Sequence, residues 1–170
     1  MRHVTNPVVV LAATEPGCPP RAMTMSSFTS LTLYPTPLVT FNIRFPSRTL
    51  DALRVAEAFH VHILSGDETG ARLASRFTQG NEGNAAAEGV RWREGGVLDE
   101  DGVEFVLRCR LARGEGLPHD GVVVVRDHVL VVAEVTELAS VGEGGSALAY
   151  SDRQYRRVGD VLKISTGGEQ

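Results

Sequence analysis

Between Met23 and Leu33 the chain reads MTMSSFTSLTL, and Thr24, Ser26, Ser27, Thr29, Ser30 and Thr32 all carry hydroxyls. A half-buried strand ordinarily alternates large apolar residues with charged ones, so this stretch offers short neutral donors and acceptors where a ligand can lie close to the main chain. A second polar group follows at Asn42, Arg44, Ser47, Arg48 and Thr49. An arginine presents a forked charged donor to phosphate oxygens, and Ser and Thr add hydrogen bonds without bulk. The turn Ser47-Arg48-Thr49 also leads into a helical pattern, whose first N–H groups lack partners and sit at the positive end of the helix dipole. Brought together, the two groups make a phosphate site beside a surface on which a flat ring can rest. Each also has a simpler use. Ser47 and Thr49 serve equally as helix caps, Arg44 as a solvated strand residue, and the other hydroxyls as edge or cross-strand partners.

The elements that must position these residues are legible from periodicity. Val8–Ala13 is a first strand, TEPGCPPR a Pro/Gly turn, and the hydroxyl-rich stretch a second strand. After Pro35-Thr36-Pro37, residues 38–45 form a third. Leu38, Thr40, Asn42 and Arg44 lie on one face, with Val39, Phe41, Ile43 and Phe45 on the other. If the second and third strands pair as a hairpin, hydroxyls on one face the arginine at the mouth of the other. Leu50, Leu53 and Ala56 mark a helix, and residues 60–65 a strand. A second helix starts near Asp67, with Leu73 and Phe77 one turn apart. Residues 78–89, rich in Gly, Asn and Ala, read as a mobile surface loop. Val103, Phe105, Leu107, Cys109 and Leu111 alternate along a long strand, GVVVV and HVLVVAEVTEL supply further apolar runs, and 147–150 a short one. Many antiparallel strands with two inserted helices predict a mostly β fold, a closed or split β-barrel, in a single domain over 1–170.

Composition bounds the function. A chain of 170 residues, 42% apolar and 22% charged, supports a core that buries roughly 70% of the unfolded surface. The net charge of −4 comes without a basic block, so no nucleic-acid partner is expected. The longest apolar run, Val8–Ala13, is too short to span a bilayer, and the first residues lack the apolar core of a secretory signal. These features predict an intracellular, cytoplasmic protein without a membrane partner, or a mitochondrial one if a longer natural N-terminus precedes this sequence. Cys18 and Cys109 have neither disulfide-scaffold nor zinc spacing and read as reduced thiols, Cys109 in a core strand. No GxSxG, HExxH or GxGxxG is present, so hydrolase, zinc-protease and Rossmann dehydrogenase readings lack their requirements.

The run TMSSFTSLTLYPTPLVTFNIRFPSRT resembles the signature of the flavin reductase-like family, the FMN-binding split barrels. LASRFTQGN (73–81), RDHVLVVAEV (126–135) and LAYSDRQYRRVG (148–159) are similar to the family's Leu-Ala-x-Arg-Phe segment, Gly-Asp-His strand and Tyr- and Arg-containing end, in the same order. The resemblance implies that Thr24, Met25, Ser26 and Ser27, with Thr32 nearby, line the flavin ring and ribityl chain. Asn42, Arg44, Ser47, Arg48 and Thr49 would hold the ribityl and phosphate end, and Arg76 and Phe77 would close over the cofactor. Phe77 reads equally as a core residue packed on Leu73. His128 matches the nicotinamide-side histidine and Tyr155 the aromatic near the end. A surface or capping role for His128 stays open. His60, His62 and His119 match no role and read as structural or exposed. Two departures stand out: Ala22 replaces the usual Gly, and Ser151-Asp152-Arg153 the commoner Phe-Arg-Gly, placing an acid beside the nucleotide site.

The implied activity is NAD(P)H-dependent flavin reduction, with FMN or FAD as the flavin, in a homodimer that supplies a monooxygenase or uses the reduced flavin in place. The alternatives are a flavin-dependent oxidoreductase of another substrate and a non-enzymatic flavin-binding or scaffold subunit on the same barrel.

Overall fold

All five residues of the strand Val9–Ala13 are buried, as happens only where both faces of a strand are covered. The structure, a computed structural model describing residues 3–78 and 89–159, shows what covers them. Most of the loop expected at 78–89 lies outside the described residues. In chain order the strands are β1 (Asn6–Pro7), β2 (Val9–Ala13), β3 (Arg21–Met25), β4 (Thr29–Thr32), β5 (Leu38–Arg44), β6 (Phe59–Leu64), β7 (Trp92–Arg93), β8 (Val97–Leu98), β9 (Val103–Leu111), β10 (Val122–Val125), β11 (His128–Ser140), β12 (Leu148–Ser151) and β13 (Gln154–Arg157). Helix α1 (Arg48–Val55) follows β5, and α2 (Glu68–Arg76) follows β6.

One antiparallel sheet runs β3-β2-β6-β9-β11-β5-β4, with β10 also pairing β11. Its two terminal strands, β3 and β4, are separated in the chain only by Ser26, Ser27 and Phe28. In a flat sheet, six strand spacings of about 4.8 Å would hold them about 29 Å apart. The link from Met25 to Thr29 reaches only about 14 Å. The sheet therefore curls into a half-barrel, and the expected mostly β barrel with inserted helices is what forms.

Val9, Leu11, Val39, Phe41, Ile43, Phe59, Val61, Cys109, Val129 and Val131 fill its inside, closed by Leu50 and Leu53 of α1. Phe41 and Phe59 meet edge to face at 5.9 Å. Val8, Val10, Leu64 and Val106 face a second cluster, completed by Leu73, Ala74 and Phe77 from the α2 segment, Leu98 and Leu148. Burial pushes the Cys109 thiol up to about 12, so it is an inert apolar filler. Among the described residues no helix is long and apolar enough to cross a membrane.

Three expectations are corrected. The stretch 23–33 is two strands: β3 pairs with β2 and β4 with β5, because the chain crosses from one sheet edge to the other at Ser26–Phe28. Residues 103–111 do not simply alternate, since Glu104 and Val106 are buried as well as Val103. Glu104 is admitted because its carboxylate accepts from Gly144 N at 2.9 Å and Gly145 N at 3.3 Å. Phe45 lies past the end of β5 and is exposed.

Both helices start on a side-chain cap. Ser47 Oγ accepts from Leu50 N at 3.3 Å, and Asp67 Oδ1 accepts from Gly70 N at 3.0 Å and from the Ser65 hydroxyl at 2.8 Å. The Gly70 N–H, with Ser65, holds the Asp67 carboxyl below its usual value.

Candidate functional site

The residues singled out by chemistry converge on one corner of the half-barrel, where β3 ends, β5 ends and α1 begins. Ser27 Oγ accepts from Asn42 N at 2.9 Å and donates to Asn42 O at 3.3 Å, taking over the pairing of β5 where β4 has not yet begun. This places Ser26, exposed, beside Asn42, also exposed. Two residues on, Arg44 is exposed at the strand end, and the chain turns through Phe45-Pro46 into the Ser47 cap and the exposed Arg48. Arginines and a helix N-terminus thus stand next to small hydroxyls and an amide.

A second strand brings in the histidine. Antiparallel pairing sets His128 of β11 directly opposite Arg44 of β5. Between them, in the two-residue turn from β10 to β11, Asp127 places Oδ2 3.3 Å from Arg44 Nε and Oδ1 2.9 Å from His128 Nδ1. The Asp127 carbonyl also accepts from Phe45 N at 3.1 Å. The hydrogen bond from His128 holds the Asp127 carboxyl below its usual value, and Arg44 adds a smaller pull. The phosphate-side arginine and the nicotinamide-side histidine of the sequence reading are therefore immediate neighbours.

Other expected residues are placed differently. Thr24 is part-buried, and its hydroxyl donates to Ala74 O at 2.6 Å, which ties β3 to the end of α2. The Met25 side chain is 5% exposed in the barrel interior, because alternation after Thr24 turns it inward, so it can offer a ligand only its main chain. Thr32 lies apart from the corner: it pairs with Leu38, about 20 Å along β5 from Arg44, and its hydroxyl bonds the main chain of Tyr34. Thr49 is buried in the first turn of α1. Phe77 is the core residue of the simpler reading, 3% exposed and edge to face with Trp92 at 6.1 Å. Arg76 is exposed in the last turn of α2. Tyr155 packs edge to face on Tyr150 at 5.6 Å, against the second cluster.

Ala22 lies in the regular ladder of β3 opposite Ala12, and its backbone does not call for glycine. His62 is structural, as expected: Nδ1 donates to Val10 O at 3.1 Å and Nε2 accepts from Leu98 N at 2.9 Å. His60 is buried beside Arg108 in a cleft of about 550 Å³, and burial, helped by Arg108, holds its pKa down. That cleft and two others, of about 470 and 430 Å³, contain none of the expected site residues. Sequence reasoning missed Asp127. Its position just before His128 was a signal, but its reach to Arg44 depends on a strand register that the sequence does not display.

The sequence profile described as "Flavin reductase like domain" matches residues 1–159. The chain belongs to this family. Among relatives of this flavin reductase-like protein, the "NADH:FMN oxidoreductase" of Rhodococcus qingshengii is 31% identical over 164 residues, covering 92% of this chain and 77% of the relative. The "4-hydroxyphenylacetate 3-monooxygenase, reductase component" of Thermus thermophilus is 35% identical over 150 residues, covering 88% and 87%. The crystal structure of a flavin reductase domain protein from Arthrobacter sp. FB24 superposes with a TM-score of 0.76 at 23% identity, covering 95% of this chain and 93% of that one. The corner described above fits the flavin such a family implies. Exposed Ser26 and Asn42 suit a hydroxylated chain, and Arg44, Arg48 and the start of α1 suit a phosphate.

Proposed function

We propose that this chain, acting as one cytoplasmic domain over 1–170, is an NAD(P)H-dependent flavin reductase that uses FMN in preference to FAD and delivers reduced flavin to a monooxygenase. The observation that carries the reading is the convergence of Ser26, Asn42, Arg44 and the start of α1 at one sheet corner, with His128 facing Arg44. FMN is favoured because the anion-holding groups lie together at one end, as a terminal phosphate requires. The names of the relatives, one an NADH:FMN oxidoreductase and one a monooxygenase reductase component, support the same reading.

The bound flavin supplies the ring that accepts the hydride. The protein's own residues hold and orient. The main chain of Met25–Ser27 and the Ser26 hydroxyl would border the ring, Asn42 would meet the ribityl chain, and Arg44 and Arg48 with the α1 N-terminus would hold the phosphate. His128 stands where the nicotinamide arrives. No acid–base group is required, since hydride transfer depends on distance and alignment. Mixing the FMN-loaded protein anaerobically with NADH or NADPH should bleach its yellow absorption band. If FMN binds and neither nucleotide bleaches it, the flavin-carrier reading replaces this one.

The active form is a homodimer. The apolar run VLVVAEV does not supply the contact surface, since Val129, Val131, Val132 and Ala133 are buried within the sheet. Apolar surface is instead left open at Val124 (63% exposed) and Val125 (53%) on β10, and at Leu33 (77%) and Tyr34 (85%) between β4 and β5. Light scattering should give about twice the chain mass. A monomer carrying a full complement of FMN would exclude the dimer as a requirement of the site.

A further inference from the structure

We infer that Asp127 is the positioning residue of this site: its carboxylate, which also pairs with Arg44, fixes the tautomer of His128, so that His128 presents a hydrogen-bond acceptor to the nicotinamide carboxamide. This rests on the reading of His128 as the nicotinamide-side group. The geometry gives the carboxylate two partners at once, with Oδ1 2.9 Å from His128 Nδ1 and Oδ2 3.3 Å from Arg44 Nε. An ionised carboxylate can only accept, so the Nδ1 that meets it must carry the proton. In the neutral imidazole, Nε2 is then left with a lone pair and no proton. A nicotinamide differs from most ring ligands in carrying an amide NH2, and an acceptor at Nε2 matches that donor.

The turn is built to hold Asp127 still. Val125 and His128 close the two-residue loop as a cross-strand pair, Arg126 takes the left-handed φ of 55° that such a turn needs, and the Asp127 carbonyl is tied to Phe45 N. Arg44 has a carboxylate beside it before any ligand arrives. Its pull on an anion is partly spent, and removing Asp127 should not weaken phosphate binding. A merely structural Asp127 would predict the reverse, with both ligands lost together.

The experiment uses the full chain with isotope-labelled histidine in alkaline buffer. The His128 signals are assigned by their absence in His128→Gln. Long-range proton–nitrogen correlation spectra should show the Nδ1–H tautomer at His128 in the wild type and the Nε2–H tautomer in Asp127→Ala. Asp127→Asn has one acceptor oxygen for two donors and an NH2 that donates to Nδ1; with its oxygen on Arg44 it should also give the Nε2–H tautomer, and it serves if the alanine variant does not fold. In steady state, Asp127→Ala and Asp127→Asn should each raise the KM for NADH by up to about tenfold, the size of one hydrogen bond between neutral groups, with FMN bound no more weakly. A wild-type Nε2–H tautomer, or parallel losses of FMN and NADH binding, would overturn the assignment. If the tautomer switches as described but no nucleotide reduces the flavin, Asp127 still sets the His128 tautomer, while the nicotinamide contact and the reductase reading fall together.

Discussion

Ser47 meets two demands at one position. Its hydroxyl accepts from Leu50 N and so starts α1, and in the flavin reading it stands where a phosphate approaches. Charge separates the two. Aspartate caps a helix as well as serine does and favours the dipole, so Ser47→Asp should keep the melting temperature within a few degrees. The same carboxylate would repel the phosphate, and one added charge at contact distance is worth about 1–4 kcal/mol, or roughly fivefold and more in affinity. A fluorescence-quenching titration of FMN against Ser47→Asp tests this. Unchanged affinity would remove the phosphate from the α1 N-terminus. The sequence showed which residue types gather here but not what they already bond. Thr24, Ser27, Thr32 and Ser47 each have a protein partner, the first across fifty positions of chain at Ala74 O. Side-chain chemistry is local and legible, whereas partners that folding brings from afar are not.

At the level of elements, alternation located β5 within a residue or two because only one of its faces is buried, and short apolar runs located β2, β6 and β11. Neither signal could show that MTMSSFTSLTL breaks at Ser26–Phe28, since the break follows from the curl of the whole sheet and no Gly or Pro marks it. The β12–β13 hairpin gives a physical reason for a departure noted in the sequence. Ser151 pairs with Gln154, and the two residues between them, Asp152 and Arg153, have φ of 50° and 61°. Positive φ at both central positions is the signature of a type I′ turn, which favours Asn or Asp followed by Gly. Asp152 thus suits its place, and Arg153 stands where the family resemblance has glycine. A side chain in that conformation costs about 1–2 kcal/mol. Arg153→Gly should therefore raise stability by about 1 kcal/mol, read as a higher urea midpoint with an unchanged slope. A lower midpoint would mean that Arg153 makes a contact worth more than the strain.

The whole molecule places a titratable ring between its two cores, and stability should respond to pH accordingly. The sequence predicted a barrel but not that β2 and β6 would be covered on both faces, because α2 and the β12–β13 hairpin come from distant parts of the chain. That double cover is what buries His62 completely. Its Nδ1–H is given to Val10 O and its Nε2 accepts from Leu98 N, so the neutral ring has both nitrogens satisfied and a second proton would meet a donor. Burial, opposed by the hydrogen bond to Val10 and helped slightly by the neighbouring His60, pushes its pKa down from the usual 6.5 to about 4. For a base with a depressed folded pKa, the unfolded chain binds more protons between those two values. The contribution is therefore complete above pH 6.5 and lost as pH falls toward 4, by about 3 kcal/mol at the lower end. The pKa of His60 is also lowered by burial and adds to the same trend, whereas the depressed carboxyls of Asp67 and Asp127 act only at lower pH. Urea unfolding followed from pH 7.5 to about pH 4.5 should show stability declining steadily. His62→Gln should be less stable at neutral pH, having lost the fitted ring, but should decline less over the same range. A variant with the full wild-type slope would place the proton uptake elsewhere.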